Sequence, residues 1–486
     1  MATTPLPIAG GFYESDSLPI SAQECTNWFP NLPQTAALSQ ETLFGTPGKS
    51  LLAPGEGVRE ANRGADVLAG IPYFVNGNVL YRLNRTVTDM LETFDVTALG
   101  TIEGTGRVSM ANNGTQICIM VPGGKGYIFV TAPDTLTEIT DLDFRANGNP
   151  QSVVFVDGYF AFNTDTKKFI ISALNDGLAY NALDFSSAES DPDIISALVV
   201  YNNQLFVAGS ETTEAQQNIG GADFPFQRTG LFSDIGVDAP FSVVKTTGAF
   251  MFIGSGKNGS ASIWEWRGNA PRKISTTAID SLLQKFTVEE IEAAFAWSYA
   301  QKGGFFVGFT LPTTTLVYDT ITERWHERKS QIVDFKGTTQ TVRDRINSVV
   351  SAYGRVLVGD SQDGRIGSLD PSVFKEYGAD IIRPVATQPF QNNMRAFSVA
   401  SLELTVESGV GNADVPDPKV RLEISRDGGK TYGHSRTRRL GKIGEYEHRA
   451  IWWKLGRIPR FAIFRFTVSD AVKPVIIQLT ADIVST

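Results

Sequence analysis

Three glycine-bearing strings in this chain carry residue types that could do chemistry. Gly45-Thr-Pro-Gly-Lys-Ser50 ends like a phosphate-binding loop, in which backbone N–H groups cradle phosphate and the lysine reaches its oxygens. The position of the first glycine is held by Leu43, Pro47 restricts the backbone, and no strand-then-helix pattern surrounds the string, so nucleotide binding is not expected. Gly254-Ser-Gly-Lys-Asn-Gly259 matches GxGxxG, but the strand-like Ser262-Ile-Trp-Glu-Trp266 follows it. The helix N-terminus that would face a pyrophosphate is missing, and a loop between two strands is expected. Ser425-Arg-Asp-Gly-Gly-Lys-Thr-Tyr432 has the Asp-box pattern, a turn braced by an aspartate bonded to backbone N–H groups, with glycines supplying positive φ. His326, His434 and His448 have no partner at metal-ligand spacing, and no GxSxG or HExxH string occurs. No catalytic residue, metal or cofactor is expected.

The strongest chemical signal is charge. From Lys419 to Arg465 basic residues dominate, and Arg421, Arg436, Arg438, Arg439, Arg449, Arg457 and Arg460 are the candidate contact residues. Such a stripe could line a passage for nucleic acid without reading sequence, or dock on an acidic protein surface; the plain alternative is a solvated strand face. The formal net charge of −9 over 486 residues argues against a DNA-wrapping protein while leaving room for a local patch. Cys25 and Cys118 are far apart and are expected to be reduced, buried thiols. The pair Trp264 and Trp266 share one strand face and are expected to pack between sheets. No signal peptide or membrane span is read in the chain.

The elements that position these residues follow from a repeat. Apolar runs flank tight turns at Asn76-Gly77, Asn113-Gly114, Asp157-Gly158, Asn202-Asn203, Gly248, Gly303 and Tyr353-Gly354. Asn and Gly tolerate the positive φ of hairpin turns, so each copy predicts a β-hairpin, and a spacing near 45 residues is that of successive four-stranded propeller blades. About seven blades are expected.

Residues 1–65 contain prolines from Pro5 to Pro54 and predict an extended arm. The propeller is placed over residues 66–385. Two short helices are expected near 277–296, where Ile279, Leu282, Leu283 and Phe286 share a face and Thr287 with Glu290 forms a capping-box pattern. Alternating strands such as Phe397–Val406, Val420–Ser425 and Phe461–Val468 predict an antiparallel β-sandwich over residues 386–486. The fold class is therefore all-β: propeller, helical insertion, sandwich.

Gly106-Arg-Val-Ser-Met-Ala111, Ser275–Asp280 followed by Phe286–Glu290, Leu316-Val-Tyr-Asp319 with Trp325, and Trp452-Trp-Lys-Leu-Gly-Arg-Ile-Pro-Arg460 carry a resemblance in this order. Together with Asn27-Trp-Phe-Pro30 and Gly45–Gly48, the chain resembles the packaged-DNA stabilisation proteins, tail hubs or nozzles, of short-tailed bacteriophages. The resemblance implies a virion tail protein made in the host cytoplasm, without membrane insertion, and assembled as a hexameric ring below the portal and adaptor rings. It implies a homo-oligomer that retains packaged DNA, touches it non-specifically in the lumen and offers surfaces for tail fibres or tailspikes and a plug or needle. It implies no catalytic residues. A basic bore would brake sliding DNA, so most of the arginine stripe is expected to face neighbouring protein. The competing class is a carbohydrate-active or carbohydrate-binding propeller at the host surface.

Overall fold

The computed structural model describes residues 2–53, 60–188, 193–221, 224–333 and 336–485; Pro54 lies outside them. Each expected turn joins two antiparallel strands. Asp157, Asn202, Asn203 and Tyr353 adopt φ between 48° and 58°, the left-handed backbone that a tight hairpin demands. Six of the turns join the first two strands of a blade. Asn76-Gly77 instead joins the second and third, because in that blade the first turn is Ala69-Gly70.

Blades one to six are built on four antiparallel strands whose neighbours are adjacent in sequence, and blade seven has three such strands and takes its fourth from elsewhere in the chain. Their innermost strands are Asn62–Leu68, Ser109–Asn112, Pro150–Val156, Ile195–Tyr201, Val244–Thr246, Phe295–Gln301 and Ile346–Ala352. Among the described residues this makes seven blades. Blade six continues into a fifth strand, Thr339–Arg343.

Apolar side chains fill the seams between blades, as burial of each sheet's faces requires. Tyr73 and Val75 meet Ile117 and Phe129; Cys118 and Met120 meet Phe160 and Phe162; Phe169 meets Leu205. Phe206 meets Phe250 and Trp266, with the last two rings stacked at 5.7 Å, so the Trp266 face does pack between blades. Trp297 and Phe306 meet Ile346 and Val358, while Phe74 and Leu83 meet Leu357 and Ile366. The last contact joins blade seven to blade one and closes the ring.

Closure is also made by hydrogen bonds. The strand Gly48–Ala53, which precedes blade one in sequence, pairs antiparallel with Ile366–Asp370 and is the fourth strand of blade seven. Lys49 of the phosphate-loop look-alike is therefore a buried strand residue. Its ammonium is bonded to Asp344 and Glu376, and all three are nearly inaccessible to water. Gly254 ends the strand Ala249–Gly254 and Gly259 lies in the loop before the strand Ser262–Arg267, with no helix following.

The helices are α1 (Thr277–Leu283) and α2 (Val288–Glu292), inserted between blades five and six. Thr287 and Glu290 form the reciprocal cap, with the Glu290 side chain accepting from the Thr287 N–H at 2.9 Å. Ile279 and Leu283 are buried; Leu282 and Phe286 pack at the rim of the same cluster. No described helix is long and apolar enough to cross a membrane.

The sandwich contains two antiparallel sheets, and the N-terminal segment contributes to one of them. Ala2–Leu6 pairs with Val475–Ser485, and Trp28–Asn31 and Thr42–Gly45 extend the same sheet. The opposite sheet orders Arg383–Ala386, Phe461–Val468, Lys419–Ser425 and Arg436–Arg439. Between propeller and sandwich, Asn27 takes φ 59°. Its side-chain amide donates to the Lys329 and Ile382 carbonyls at 2.9 and 2.8 Å, and the buried Trp28 indole donates to the Arg383 carbonyl at 2.9 Å. The Asp-box turn forms as expected: Asp427 accepts from the Thr431 N–H at 3.0 Å, and Gly428 and Gly429 have φ of 80° and 92°. A Cβ at Gly428 would strike Pro19, so the turn is a seat for the N-terminal segment.

The sequence suggests that His326 lies at a blade edge as an ordinary surface or hydrogen-bonded residue; it is hydrogen-bonded, but not at the surface. It is fully buried between Phe29 and Phe306, accepts a 3.3 Å hydrogen bond from Arg328 Nε, and burial holds its ring well below its ordinary pKa. The strand carrying it is overlaid by the N-terminal segment, which the sequence places only as an arm.

Candidate interaction surface

The candidate arginines lie on three strands and two connections of the sandwich. Arg421 is on Lys419–Ser425, opposite Thr437 on the edge strand Arg436–Arg439. Arg449 precedes the strand Ala450–Ile458 at the edge of the other sheet, and Arg457 is the last residue but one of that strand. Arg460 is in the turn that follows. At about 3.3 Å per residue, Arg449 and Arg457 are about 26 Å apart, so no single patch holds all seven.

The structure brings Arg438, Arg439 and Arg449 together. With Lys419, Thr437, His448, Ile451 and Trp453 they line an open cleft of about 660 Å³ where the edges of the two sheets meet. Arg436 and Arg438 sit opposite Leu422 and Val420, both buried, and thus on the inward side of an edge strand. Charged residues pointing inward at an edge discourage another strand from pairing there. The Arg438 Nε donates to the Ile451 carbonyl at 2.7 Å, and the buried Trp452 indole donates to the Arg436 carbonyl at 2.8 Å, tying edge to edge.

The cations of the cleft differ in their partners. Arg439 bonds Asp417 at 2.6 Å and Glu445 at 2.8 Å; these carboxylates raise its pKa, Asp417 foremost. Arg449 forms a two-pronged bond with Glu403, which raises its pKa likewise. Arg438 and Lys419 have no ion pair among the described residues, and neither do Arg421, Arg436, Arg457 or Arg460. Beside the two free cations the Trp453 indole is 61% exposed. An anionic partner with an apolar or planar portion suits this arrangement, because arginine and exposed aromatics are the side chains that anchor contacts. Among the described residues no group of His, Cys, Asp and Glu could hold a metal ion.

Trp453 and His448 escaped the sequence reading of the stripe, and Lys419 enters it as the first basic residue but not as a candidate contact. The available signal was the Trp452-Trp453 pair in an alternating strand, where one indole must face out.

Comparison with known proteins adds an independent line. The family model described as "Bacteriophage P22 Gp10, beta-propeller" matches residues 4–374, and "Bacteriophage P22 Gp10, beta-sandwich" matches residues 383–484. The tail hub protein gp10 of Salmonella phage P22 is 23% identical over 454 residues, covering 90% of this chain and 92% of its own length. Among solved structures, the WD40 β-propeller domain of Doa1 aligns with 66% of this chain and 98% of its own, at 14% identity and a TM-score of 0.38. The computationally designed Ika8 protein aligns with 66% of this chain and 99% of its own, at 14% identity and a TM-score of 0.37.

Proposed function

This chain belongs to the bacteriophage P22 Gp10 family, a structural protein of the phage tail, and from that premise we propose that its copies assemble head to tail into a ring. In this reading the ring, hexameric and seated below the portal and adaptor, retains packaged DNA, conducts it on ejection and anchors fibres or tailspikes and a plug. The propeller, including its closing strand Gly48–Ala53, is its wall, residues 386–486 its docking module, and the segment before Gly48 the tie between them. The protein acts without catalysis.

One observation carries the ring: charge polarity. Residues 383–486 hold 16 Lys and Arg against 10 Asp and Glu, whereas residues 1–382 hold 27 against 42. A basic module on an acidic body gives each copy two complementary surfaces, and head-to-tail contacts close into a ring when the rotation fits. The cleft of Lys419, Arg438 and Trp453 supports the sandwich as the basic partner in that contact. The acidic body also suits DNA that must slide rather than stick.

Light scattering and negative-stain microscopy of the purified chain, alone and with a portal–adaptor complex, test the reading. Rings are expected, and the double variant Lys419→Glu/Arg438→Glu should shift them to monomers while leaving the fold intact by circular dichroism. A wild-type chain that stays monomeric and ignores the connector would sink the proposal.

A further inference from the structure

The propeller axis holds a second cationic group that assembly through the sandwich does not use. Arg107 leaves blade two just before the innermost strand Ser109–Asn112, yet its side chain ends on residues of other blades. Its Nη1 donates to Asn347 Oδ1 at 3.2 Å and its Nη2 to the Asn347 carbonyl at 2.8 Å, on the innermost strand of blade seven. Its guanidinium carbon lies 3.7 Å from the ring centroid of Phe295, where blade six begins, and 5.8 Å from that of Phe241, just ahead of blade five. From blade two of a seven-bladed ring, one side chain reaches blades five, six and seven only by crossing the axis. Arg107 therefore spans one mouth of the axial channel.

A second guanidinium, Arg343, lies over the same Phe295 ring at 5.5 Å. Nearby carboxylates are committed elsewhere: Asp344 to Lys49, and Asp360 and Asp363 to Arg345. Neither Arg107 nor Arg343 has an ion pair among the described residues, and the buried Arg107 Nε has no hydrogen-bond partner. Burial pushes the Arg107 guanidinium down to about 9, with repulsion from Arg343 adding to it, and burial lowers Arg343 as well. A phenyl face attracts each cation but does nothing for the repulsion between them. An anion placed between the two would remove it.

We propose that Arg107, Arg343 and Phe295 form an oxyanion site at the axial mouth, taking a phosphate or a carboxylate. Planar guanidinium forks suit oxygens held in pairs; Arg343 can offer such a fork, whereas Arg107, with Nη1 and Nη2 each bonded to Asn347, contributes its charge. The site depends on the propeller alone and stands whether or not copies assemble into a ring.

Calorimetric titration of the full chain with sodium phosphate and with sodium glutamate, against sodium chloride at matched ionic strength, tests this. Saturable binding of at least one oxyanion is expected, at least tenfold weaker in Arg343→Gln and unchanged in Arg272→Gln on the outermost strand of blade five. Phosphate binding points to a free or nucleotide-borne phosphate; binding of glutamate alone points to an acidic side chain. Arg107→Gln removes a bridge between blades, so Arg343→Gln is the deciding variant. Failure of both anions to bind saturably, or an Arg343→Gln protein that binds like wild type, would overturn the proposal.

Discussion

The seam of the propeller and the edge of the sandwich use the same chemical parts to different ends. At the seam one cation, Lys49, meets two carboxylates, Asp344 and Glu376, all withdrawn from water. At the edge one cation, Arg439, meets two carboxylates, Asp417 and Glu445, with between 33% and 42% of each side chain exposed. Water and salt screen the second trio and leave its partners exchangeable, whereas the first has no alternative partner once the ring is closed. Burial, not composition, divides a lock from a docking surface.

Removing the buried cation should have the largest effect. Lys49→Met leaves two carboxylates unpaired in the seam and should cost about 3–5 kcal/mol, read as a lower midpoint in chemical denaturation. A loss no larger than that of the edge variant below would erase the contrast. Adding Asp344→Asn and Glu376→Gln to Lys49→Met should recover part of the loss, since it removes the stranded charges.

Between the two regions lies the clasp of Asn27 and Trp28. Trp28→Ala deletes a fully buried indole and its bond to the Arg383 carbonyl, for a loss of about 3 kcal/mol. If the N-terminal segment ties the domains, limited proteolysis should then cut between propeller and sandwich, near residues 376–390, before it cuts within a blade.

A smaller, pH-dependent effect is expected at Glu24 in the same segment. Burial pushes its carboxyl up to about 7, against the pull of Arg465 at 3.9 Å. A carboxyl that binds its proton more tightly when folded stabilises the fold below about pH 4.5, and this contribution is lost as pH rises through 7. Glu24→Gln should flatten that slope and gain about 1 kcal/mol at pH 8, a figure reduced for partial solvent access. An unchanged pH profile of the denaturation midpoint would refute the assignment.

The smallest change is expected at the edge. Arg439→Gln should leave the denaturation midpoint within experimental error at 0.15 M salt, while weakening association between copies more at low salt than at high salt. A large loss of stability would place this trio with the buried one.

Local signals carried much of the fold. Hairpin turns at Asp157-Gly158 and Asn202-Asn203 announce themselves because few residues tolerate their backbone. The Thr287–Glu290 cap and the Asp427 turn are likewise legible, since their partners lie within four residues. The candidate surface was legible in part. Its arginines stand out by composition, but which three converge depends on two sheets bringing their edges together. The burial of His326 was not legible, because the segment that covers it comes from some three hundred positions away in the chain.

By itself, then, the sequence determined the repeated antiparallel hairpin, the approximate number of blades, the change to a basic sandwich and the failure of the nucleotide look-alikes. Each depends on turn geometry or side-chain alternation within a short stretch. Tertiary structure alone decided that Gly48–Ala53 closes blade seven, that Ala2–Leu6 and Trp28–Asn31 belong to the sandwich, and that Arg107 crosses the axis. Arg107 and Asn347 are 240 positions apart and Ala2 and Ile483 are 481 apart, while Trp28–Asn31 enters the sandwich through Thr42–Gly45, whose other partner is Val475–Ser485; across such separations no local preference selects the partner. Only the closed ring, by burying every seam at once, makes one pairing better than its competitors.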